Sequence, residues 1–343
     1  MQTNSTPYLA RLTARARDAL SAGAIGAALL APLLPSQASA CACGCGVFDV
    51  GATTMAPNAA DSGWSVWFRY SSVDQSRNFS GSSRAPAWMN ADKRITTQFL
   101  TFGVQYMINR DWGLMVEAPF VRRAFTTVWD DPSGAVGTFH LGAFGDAKIM
   151  AVYSGFSPDR STGLVFGVKL PTGLWKSPTY GIAGQVYDRD TLPGSGSTDL
   201  LLGGYHFGSL TSDGRLGYFV QGMIQLPVAI QQGYRPGDEL NAAVGLAYDL
   251  GAFGPVTKLA PVAQAIASVR KADYRNGAPS LDTGYERLFL SPGLDVRIGS
   301  FKLYADVEFP VYQRASHGNF AIDGNQGQLV APVHYKLQVG YEF

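Results

Sequence analysis

The sequence is poor in charge, and the charge that it has is balanced. Asp, Glu, Lys and Arg make up 15% of the 343 residues, and the formal net charge is +1. Nucleic-acid-binding surfaces need clustered basic residues, so we expect no nucleic-acid partner. Phosphate-binding loops, dinucleotide-binding glycine fingerprints and His-Glu-x-x-His zinc motifs are absent as well. The sequence therefore carries no catalytic motif, and we expect no enzymatic activity.

Cysteine is nearly missing. The chain has three, Cys41, Cys43 and Cys45, and all lie in the stretch CACGCGVFDVG. Three thiols at alternate positions are too many for one disulfide and too close together for comfortable pairing. Thiolates prefer soft metals, so the three cysteines are a candidate site for copper, zinc or an iron–sulfur unit. A strained disulfide with one spare thiol, or a lipidated Cys41, are the alternatives.

Long apolar runs are confined to the amino terminus. A basic stretch at 11–17 precedes an apolar run at 19–34, and Ala-Ser-Ala follows at 38–40. This order predicts a signal peptide over residues 1–40, with Cys41 as the first mature residue. The third residue before the cysteine is Ala rather than the Leu usual in lipoprotein signals, which favours ordinary cleavage over lipidation. No later apolar stretch reaches about 18 residues, so we expect no transmembrane helix.

What the mature chain has instead is alternation of apolar and polar residues. The carboxyl terminus is the clearest case, with apolar residues at Tyr335, Leu337, Val339, Tyr341 and Phe343. A period of two predicts a strand with one apolar and one polar face. The pattern predicts twelve strands: 64–71, 99–108, 113–122, 146–154, 163–171, 198–207, 215–228, 240–250, 258–270, 287–298, 301–312 and 329–343.

The connectors between these segments alternate in length. Short ones, such as 109–111 and 299–300, follow every second strand, and mostly longer ones, such as 123–145 and 172–197, follow the others. Short periplasmic turns and long outer loops are typical of outer-membrane proteins. The sequence therefore predicts an all-β fold, a twelve-stranded antiparallel transmembrane β-barrel of the bacterial outer membrane, over residues 63–343. We hypothesise that the Cys-rich segment 41–62 partly plugs its periplasmic mouth.

Parity along the strands assigns the side chains that face the bore. Both charge signs occur among the predicted lumen-lining residues, which are Arg69, Glu117, Lys148, Lys169, Gln221, Gln225, Asp295, Arg297, Lys302, Asp306 and Glu308. They predict a narrow passage for small solutes; alternatively, they pair with one another and fill the bore, because twelve strands leave little free width. We expect the last five to form one charged patch on two neighbouring strands.

Four prolines carry a further expectation about the strands. Pro119, Pro171, Pro227 and Pro310 each come late in a strand that runs outward. Proline has no N–H to give to a strand ladder, so it belongs at strand ends or bulges. We expect these residues to mark the rim of the barrel at the outer loops.

Several segments resemble a family of outer-membrane channels named for the meta-pathway of phenol degradation. The segments are WGLMVEAPFV (112–121), FGDAKIMAVY (144–153), FGVKLPTG (166–173) and GSGSTDLLLGGYHF (194–207). That family is similar in outline to the hydrophobic-substrate transporters of outer membranes, and the resemblance implies a barrel. The Cys-x-Cys-x-Cys head is not part of the family pattern.

Together these observations favour an outer-membrane channel or transporter for small solutes, aromatic or hydrophobic ones being the class that the resemblance suggests. The expected partners are outer-membrane lipid, the solute and, during biogenesis, the barrel assembly machinery. The carboxy-terminal series ending at Phe343 resembles the signal that this machinery reads. The alternative is a metal-handling or redox-linked envelope protein that uses Cys41, Cys43 and Cys45.

Overall fold

The computed structural model describes residues 62–128, 134–176, 178–180, 185–186, 189–318 and 326–343. The predicted signal peptide and the three cysteines lie outside these residues. Among the described residues, no helix has the length and apolarity needed to cross a membrane.

The main sheet contains thirteen strands that pair antiparallel with their neighbours. They are β1 (Gly63–Gln75), β2 (Asp92–Met107), β3 (Trp112–Val128), β4 (Val136–Phe144), β5 (Lys148–Tyr153), β6 (Thr162–Lys169), β7 (Thr198–Ser209), β8 (Leu216–Ala229), β9 (Glu239–Tyr248), β10 (Lys258–Arg270), β11 (Tyr285–Ile298), β12 (Phe301–Ala315) and β13 (His334–Glu342).

The sheet closes on itself as a barrel. The first strand, β1, pairs with the last, β13, from Ser65 opposite Glu342 to Val73 opposite His334. Both β4 and β5 pair with β3, one beyond the other, so they occupy a single place in the wall and the barrel has twelve strands. This confirms the predicted fold class. Closure gives the strands of the sheet a partner on both sides, except β4, which pairs with β3 alone, and strands need such pairing if they are to span a membrane.

The connections differ at the two ends of the barrel. Tight turns join strands at one end, for example at Gly299, and we call this the turn end. The long connections at the other end, the loop end, contain their own structure. It comprises short strands at Arg77–Ser80, Ser83–Arg84, Thr179–Tyr180, Gln185–Val186, Tyr234–Arg235, Tyr274–Arg275, Ala278–Pro279 and Gln328–Val330, and 3-10 turns at Ala87–Met89 and Arg189–Thr191.

The two faces of the wall have opposite chemistry. On β13, Tyr335 and Leu337 are exposed, whereas the intervening Lys336 is only 6% exposed. The outer face is rich in Leu, Val, Ile and Phe all round the barrel, as lipid contact requires. Aromatic rings gather at the turn end, where Trp64 stacks on Tyr106 with centroids 4.5 Å apart, and such rings suit a membrane interface.

Several strand assignments differ from the sequence prediction. Strand β2 begins at Asp92 rather than at 99, and the predicted strand 329–343 is divided into Gln328–Val330 and β13. Strand β3 runs on to Val128 and β4 returns alongside it, in a region predicted to be a loop. Apolar residues occur on both faces of β4, with Phe139 and Leu141 on one face and Val136 and Phe144 on the other, and the sequence prediction does not assign this weak alternation to a strand. Pro119 therefore lies inside β3 rather than at the rim, at the point where pairing passes from β5 to β4. Pro227 and Pro310 lie at register shifts, as expected for proline in a strand.

Glycines in the wall make room for large interior side chains. A Cβ atom on Gly103 would come within 2.0 Å of the Trp67 ring, and one on Gly163 within 2.4 Å of the Tyr205 ring. The rings lie flat against these glycines on neighbouring strands. The bore is thus filled in part by aromatic side chains, which only glycine-containing strands can accommodate.

Candidate functional site

The barrel interior contains a cavity of about 200 Å³ on the loop side. Its walls come from strands β1, β2, β3, β5, β6, β8, β9 and β10, and the loops after β6 and β8 cover part of it. Six basic and four acidic side chains line it, together with apolar groups such as Phe99, Val121 and Leu192. A concave site with apolar walls and a few convergent polar groups is the usual form of a small-molecule site.

Five of the residues predicted to line the lumen line this cavity: Arg69, Glu117, Lys148, Lys169 and Gln225. Arg69 and Glu117 form an ion pair of 3.2 Å, and both are almost fully buried. Strand parity explains these placements, since each side chain lies on the face opposite the exposed apolar residues of its strand.

The other predicted lumen residues fall into separate groups. Gln221 is 6% exposed and does not line the cavity. Asp295 pairs with Lys258 on β10 at 3.2 Å, and Lys302 pairs with Glu342 on β13. Arg297, like these two pairs, lies near the turn end.

Asp306 and Glu308 belong to a different, buried network deeper in the barrel. Glu308 accepts a hydrogen bond from Lys336 Nζ at 2.8 Å and lies 3.3 Å from His334 Nδ1. Asp306 accepts hydrogen bonds from Tyr304 and Gln264, both at 2.9 Å. The five residues expected to form one charged patch are therefore divided, because the β11–β12 register sets Asp306 opposite Gly293 and Asp295 opposite Tyr304.

Asp146 is the centre of the polar contacts at one wall of the cavity. It lies between β4 and β5, and its Oδ1 accepts a hydrogen bond from the Gly173 N–H at 3.1 Å. Its Oδ2 accepts from the Ser195 N–H at 2.8 Å and from Ser195 Oγ at 2.6 Å. Lys169 Nζ lies 3.2 Å from Asp146 and 2.8 Å from Asp199. One buried carboxylate thus holds both ends of the loop after β6, which we call the inward loop (170–197), against the wall.

Arg189 is brought to the cavity by the inward loop. Its guanidinium lies between two aromatic rings, 4.6 Å from the centroid of Trp175 and 5.4 Å from that of Tyr234. It donates to the Ser195 carbonyl oxygen at 3.2 Å. A Cβ atom on Gly196 would come within 2.3 Å of this guanidinium, and φ is +71° there, so glycine is required on both counts.

Burial changes the acid–base properties of the groups around Arg189. It lowers the pKa of Arg189, although a guanidinium remains charged at any physiological pH. Burial, with the carboxylate of Asp273 beside the ring, raises the pKa of Tyr234 well above its ordinary value. The Tyr234 hydroxyl donates to Asp273 and stays neutral. Arg189 therefore keeps its positive charge, and the neutral Tyr234 beside it adds no negative charge.

An apolar layer lies on the turn side of the cavity. It is a cluster of side chains from β3 and from β5 to β11, made of Met115, Met150, Val152, Val165, Leu201, Tyr205, Met223, Ala243, Ile266 and Phe289. On β3, Met115 comes two residues below Glu117, and on β8, Met223 comes two residues below Gln225. An apolar lining of this kind disfavours hydrated ions.

Sequence reasoning missed Arg123, Asp146, Arg189, Asp190 and Glu239, which also line the cavity. Arg189 and Asp190 lie on a long loop, where parity carries no information. The sequence did contain a signal for Asp146, because FGDAKIMAVY, which includes it, is one of the segments that carry the family resemblance.

Among the described residues, no cluster of side chains at this cavity could ligate a metal ion. Over the described ranges, no group of three or more His, Cys, Asp or Glu side chains is placed to hold a metal ion. Cys41, Cys43 and Cys45 lie outside those ranges, so a metal at these cysteines stays a prediction.

Comparison with known proteins places the fold. No protein-family model matches the sequence, and no curated protein matches it. The COG4313 outer membrane channel from Pseudomonas putida F1 is similar in structure, with a TM-score of 0.59 at 11% identity, over 86% of this chain and 100% of that one. The β-domain of the Bordetella autotransporter BrkA has a TM-score of 0.49 at 15% identity, over 82% and 100% of the two chains.

The toluene transporter TodX of P. putida matches over 83% of this chain and 91% of its own, with a TM-score of 0.39 at 10% identity. Of these three proteins, the first has a TM-score above 0.5, and at its low identity the likeness concerns the fold. The apolar outer face, the closed sheet and this likeness agree: the chain has the fold of a twelve-stranded outer-membrane β-barrel.

Proposed function

We propose that this protein is an outer-membrane channel or transporter for small solutes. The observation that carries the proposal is the loop-side cavity inside a barrel whose outer face is apolar. A purely structural barrel could fill its bore with paired side chains. Here the inward loop leaves a space of about 200 Å³ among them instead. The P. putida protein with the same fold is an outer membrane channel, which supports the proposal.

Aromatic or hydrophobic solutes fit the apolar wall of the cavity. Phe99, Val121 and Leu192 offer contact area, and Pro193 adds to it. The apolar layer below the cavity would also admit such solutes more readily than hydrated ions, since crossing it costs an ion its hydration shell. The resemblance of the four sequence segments to a family linked with phenol degradation points the same way.

Flux into liposomes tests the function. Purified full-length protein is inserted into liposomes, and the entry of single-ring solutes is compared with that into protein-free liposomes. We expect solute flux together with a small ionic current in planar bilayers, because the apolar layer resists ions. A correctly folded barrel that gives neither flux nor current would overturn the proposal.

The amino-terminal proposals concern residues outside the described ranges. They are cleavage after residue 40, a Cys-rich segment 41–62 that partly plugs the periplasmic mouth, and a soft metal such as copper at Cys41, Cys43 and Cys45. Mass spectrometry of the purified mature protein tests them together. An acyl group on Cys41, or a plain disulfide without bound metal, would contradict the metal site.

The remaining proposals follow from the fold. Insertion would depend on the barrel assembly machinery, which would read the carboxy-terminal series ending at Phe343, and deletion of Phe343 should lower the amount inserted. We propose no catalytic role. Within the described residues, Ser195 is hydrogen bonded to Asp146, and Lys169 is paired with Asp146 and Asp199, so we assign both side chains to holding the inward loop.

A further inference from the structure

Arg189 is one of the six cations that line the cavity, and it forms no ion pair with a carboxylate of the described residues. Its contacts among the described residues are with aromatic faces and neutral oxygens: the rings of Trp175 and Tyr234, the Ser195 carbonyl and, at 3.5 Å, the Gln232 side chain. It is 8% exposed, and its Nε has no hydrogen-bond partner in the described part of the chain. A buried guanidinium without an anion is costly unless one arrives from solution.

The carboxylates that could reach Arg189 are engaged elsewhere. Asp146 accepts three hydrogen bonds and is paired with Lys169. Glu117 is paired with Arg69, and Glu239 accepts from Asn241 at 2.7 Å. Neither these three nor Asp190, the fourth lining carboxylate, forms an ion pair with Arg189 within 4 Å, so the Arg189 charge has no anionic partner among the described residues.

The aromatic rings prepare Arg189 for a planar anion. Trp175 and Tyr234 lie within 5.4 Å of the guanidinium, and its Nε is left without a hydrogen-bond partner among the described residues. Carboxylates bind guanidinium groups edge-on and in plane, and these charge-assisted hydrogen bonds are among the strongest in proteins. The rings also restrict the Arg189 side chain, which lowers the entropy that a ligand would have to overcome.

The rest of the cavity limits the size and character of the ligand. A volume of about 200 Å³ is comparable to the apolar cavity of about 150 Å³ that binds benzene in another protein, so it suits a single ring with one carboxylate. Phe99, Val121 and Leu192 form an apolar wall for the ring. We propose that the cavity is a binding site for small organic monoanions, with the carboxylate on Arg189 and a ring or short apolar body against that wall.

This inference rests on the proposed channel function only for its physiological use, because binding is measured without transport. Isothermal titration calorimetry on the full-length, detergent-solubilised protein compares benzoate with benzamide, which has nearly the same shape but no charge. We expect benzoate to bind at least tenfold more tightly than benzamide, and at least tenfold more tightly than acetate, which lacks the ring. Equal binding of benzoate and benzamide would overturn the inference, and equal binding of benzoate and acetate would overturn the ring position.

A matched pair of variants tests the role of Arg189. Arg189→Gln should weaken benzoate binding at least tenfold and leave benzamide unchanged. Arg215→Gln, at an exposed turn-end arginine, should change neither. If Arg189→Gln fails to fold, the comparison of ligands on the unmodified protein still decides the matter. Flux of neutral solutes without benzoate binding would reject this site and leave the channel standing, whereas benzoate binding without any flux would reject the channel.

Discussion

Replacing Asp146 with Asn should open the barrel at its loop end. Asn keeps the shape of the side chain and one oxygen acceptor, which can still receive the Gly173 N–H. Its amide NH₂ then replaces Oδ2, which accepts from the Ser195 N–H at 2.8 Å and from Ser195 Oγ at 2.6 Å. Two hydrogen bonds to a charged acceptor are lost, and the Lys169 ammonium at 3.2 Å meets a donor instead of an anion.

The size of the effect follows from these contacts. Hydrogen bonds to charged groups contribute about 1.5–3 kcal/mol each, so two of them hold the inward loop with about 3 kcal/mol or more. Since about 1.4 kcal/mol corresponds to a factor of ten, the ratio of open to closed loop should rise about a hundredfold. Ser195→Ala removes the hydroxyl contacts with Asp146, Lys169 and Ser197 but keeps the Ser195 N–H bond to Asp146, and its ratio should rise about tenfold.

Single-channel recording in planar bilayers measures this ratio through the fraction of time spent at high conductance. Asp213→Asn is the matched control, because Asp213 is an exposed turn-end carboxylate and its replacement should leave the recordings unchanged. Folding of each variant is checked by heat-modifiable migration on gels. A folded Asp146→Asn protein whose open fraction stays within twofold of the unmodified protein would refute the view that this carboxylate holds the loop inward.

Three further changes test the wall and the interior. Leu337→Arg, on the exposed outer face of β13, should destabilise the barrel in lipid by about 2–4 kcal/mol, whereas Leu210→Arg in a turn should cost less than about 1 kcal/mol. Urea unfolding in lipid vesicles measures both, and equal midpoints for the two variants would contradict the lipid-facing assignment of Leu337. Gly167→Val should prevent assembly, since a Cβ there would lie 2.1 Å from a carbonyl oxygen of β5. Normal amounts of folded barrel would show that the backbone of the wall can shift to accommodate the side chain. Glu117→Gln removes the carboxylate paired with the buried Arg69 and should lower the free energy of unfolding by about 3–5 kcal/mol. Adding Arg69→Met should recover most of that stability. A double variant as unstable as the single one would argue against a paired role.

The closed barrel could be predicted from the sequence because its signal is local. Along β13, each residue reports its own face, so the exposure of Leu337 and the burial of Lys336 follow from parity alone. The same argument assigned Arg69 on β1 and Glu117 on β3 to the inner face of the wall without any knowledge of the strand register. It did not reveal β4, where apolar residues lie on both faces of the strand.

The grouping of interior charges could not be predicted in the same way. Asp306 and Glu308 contact Lys336, twenty-eight or more residues further along the chain, rather than the neighbouring charges of β11. Which charges meet depends on register and on where the bulge at Leu288 falls. Both depend on pairing between distant segments, and a single strand's pattern does not contain them.

The sequence by itself determined the fold class, the number of strands and the face on which each strand carries its polar side chains, because the strand period of two is a local property of the backbone. Only the tertiary structure decided the site. Arg189 meets Tyr234, and Asp146 meets Ser195, because the loop after β6 turns into the bore. The course of that loop is set by the contacts it makes with the closed wall, and those contacts exist only once the barrel has formed.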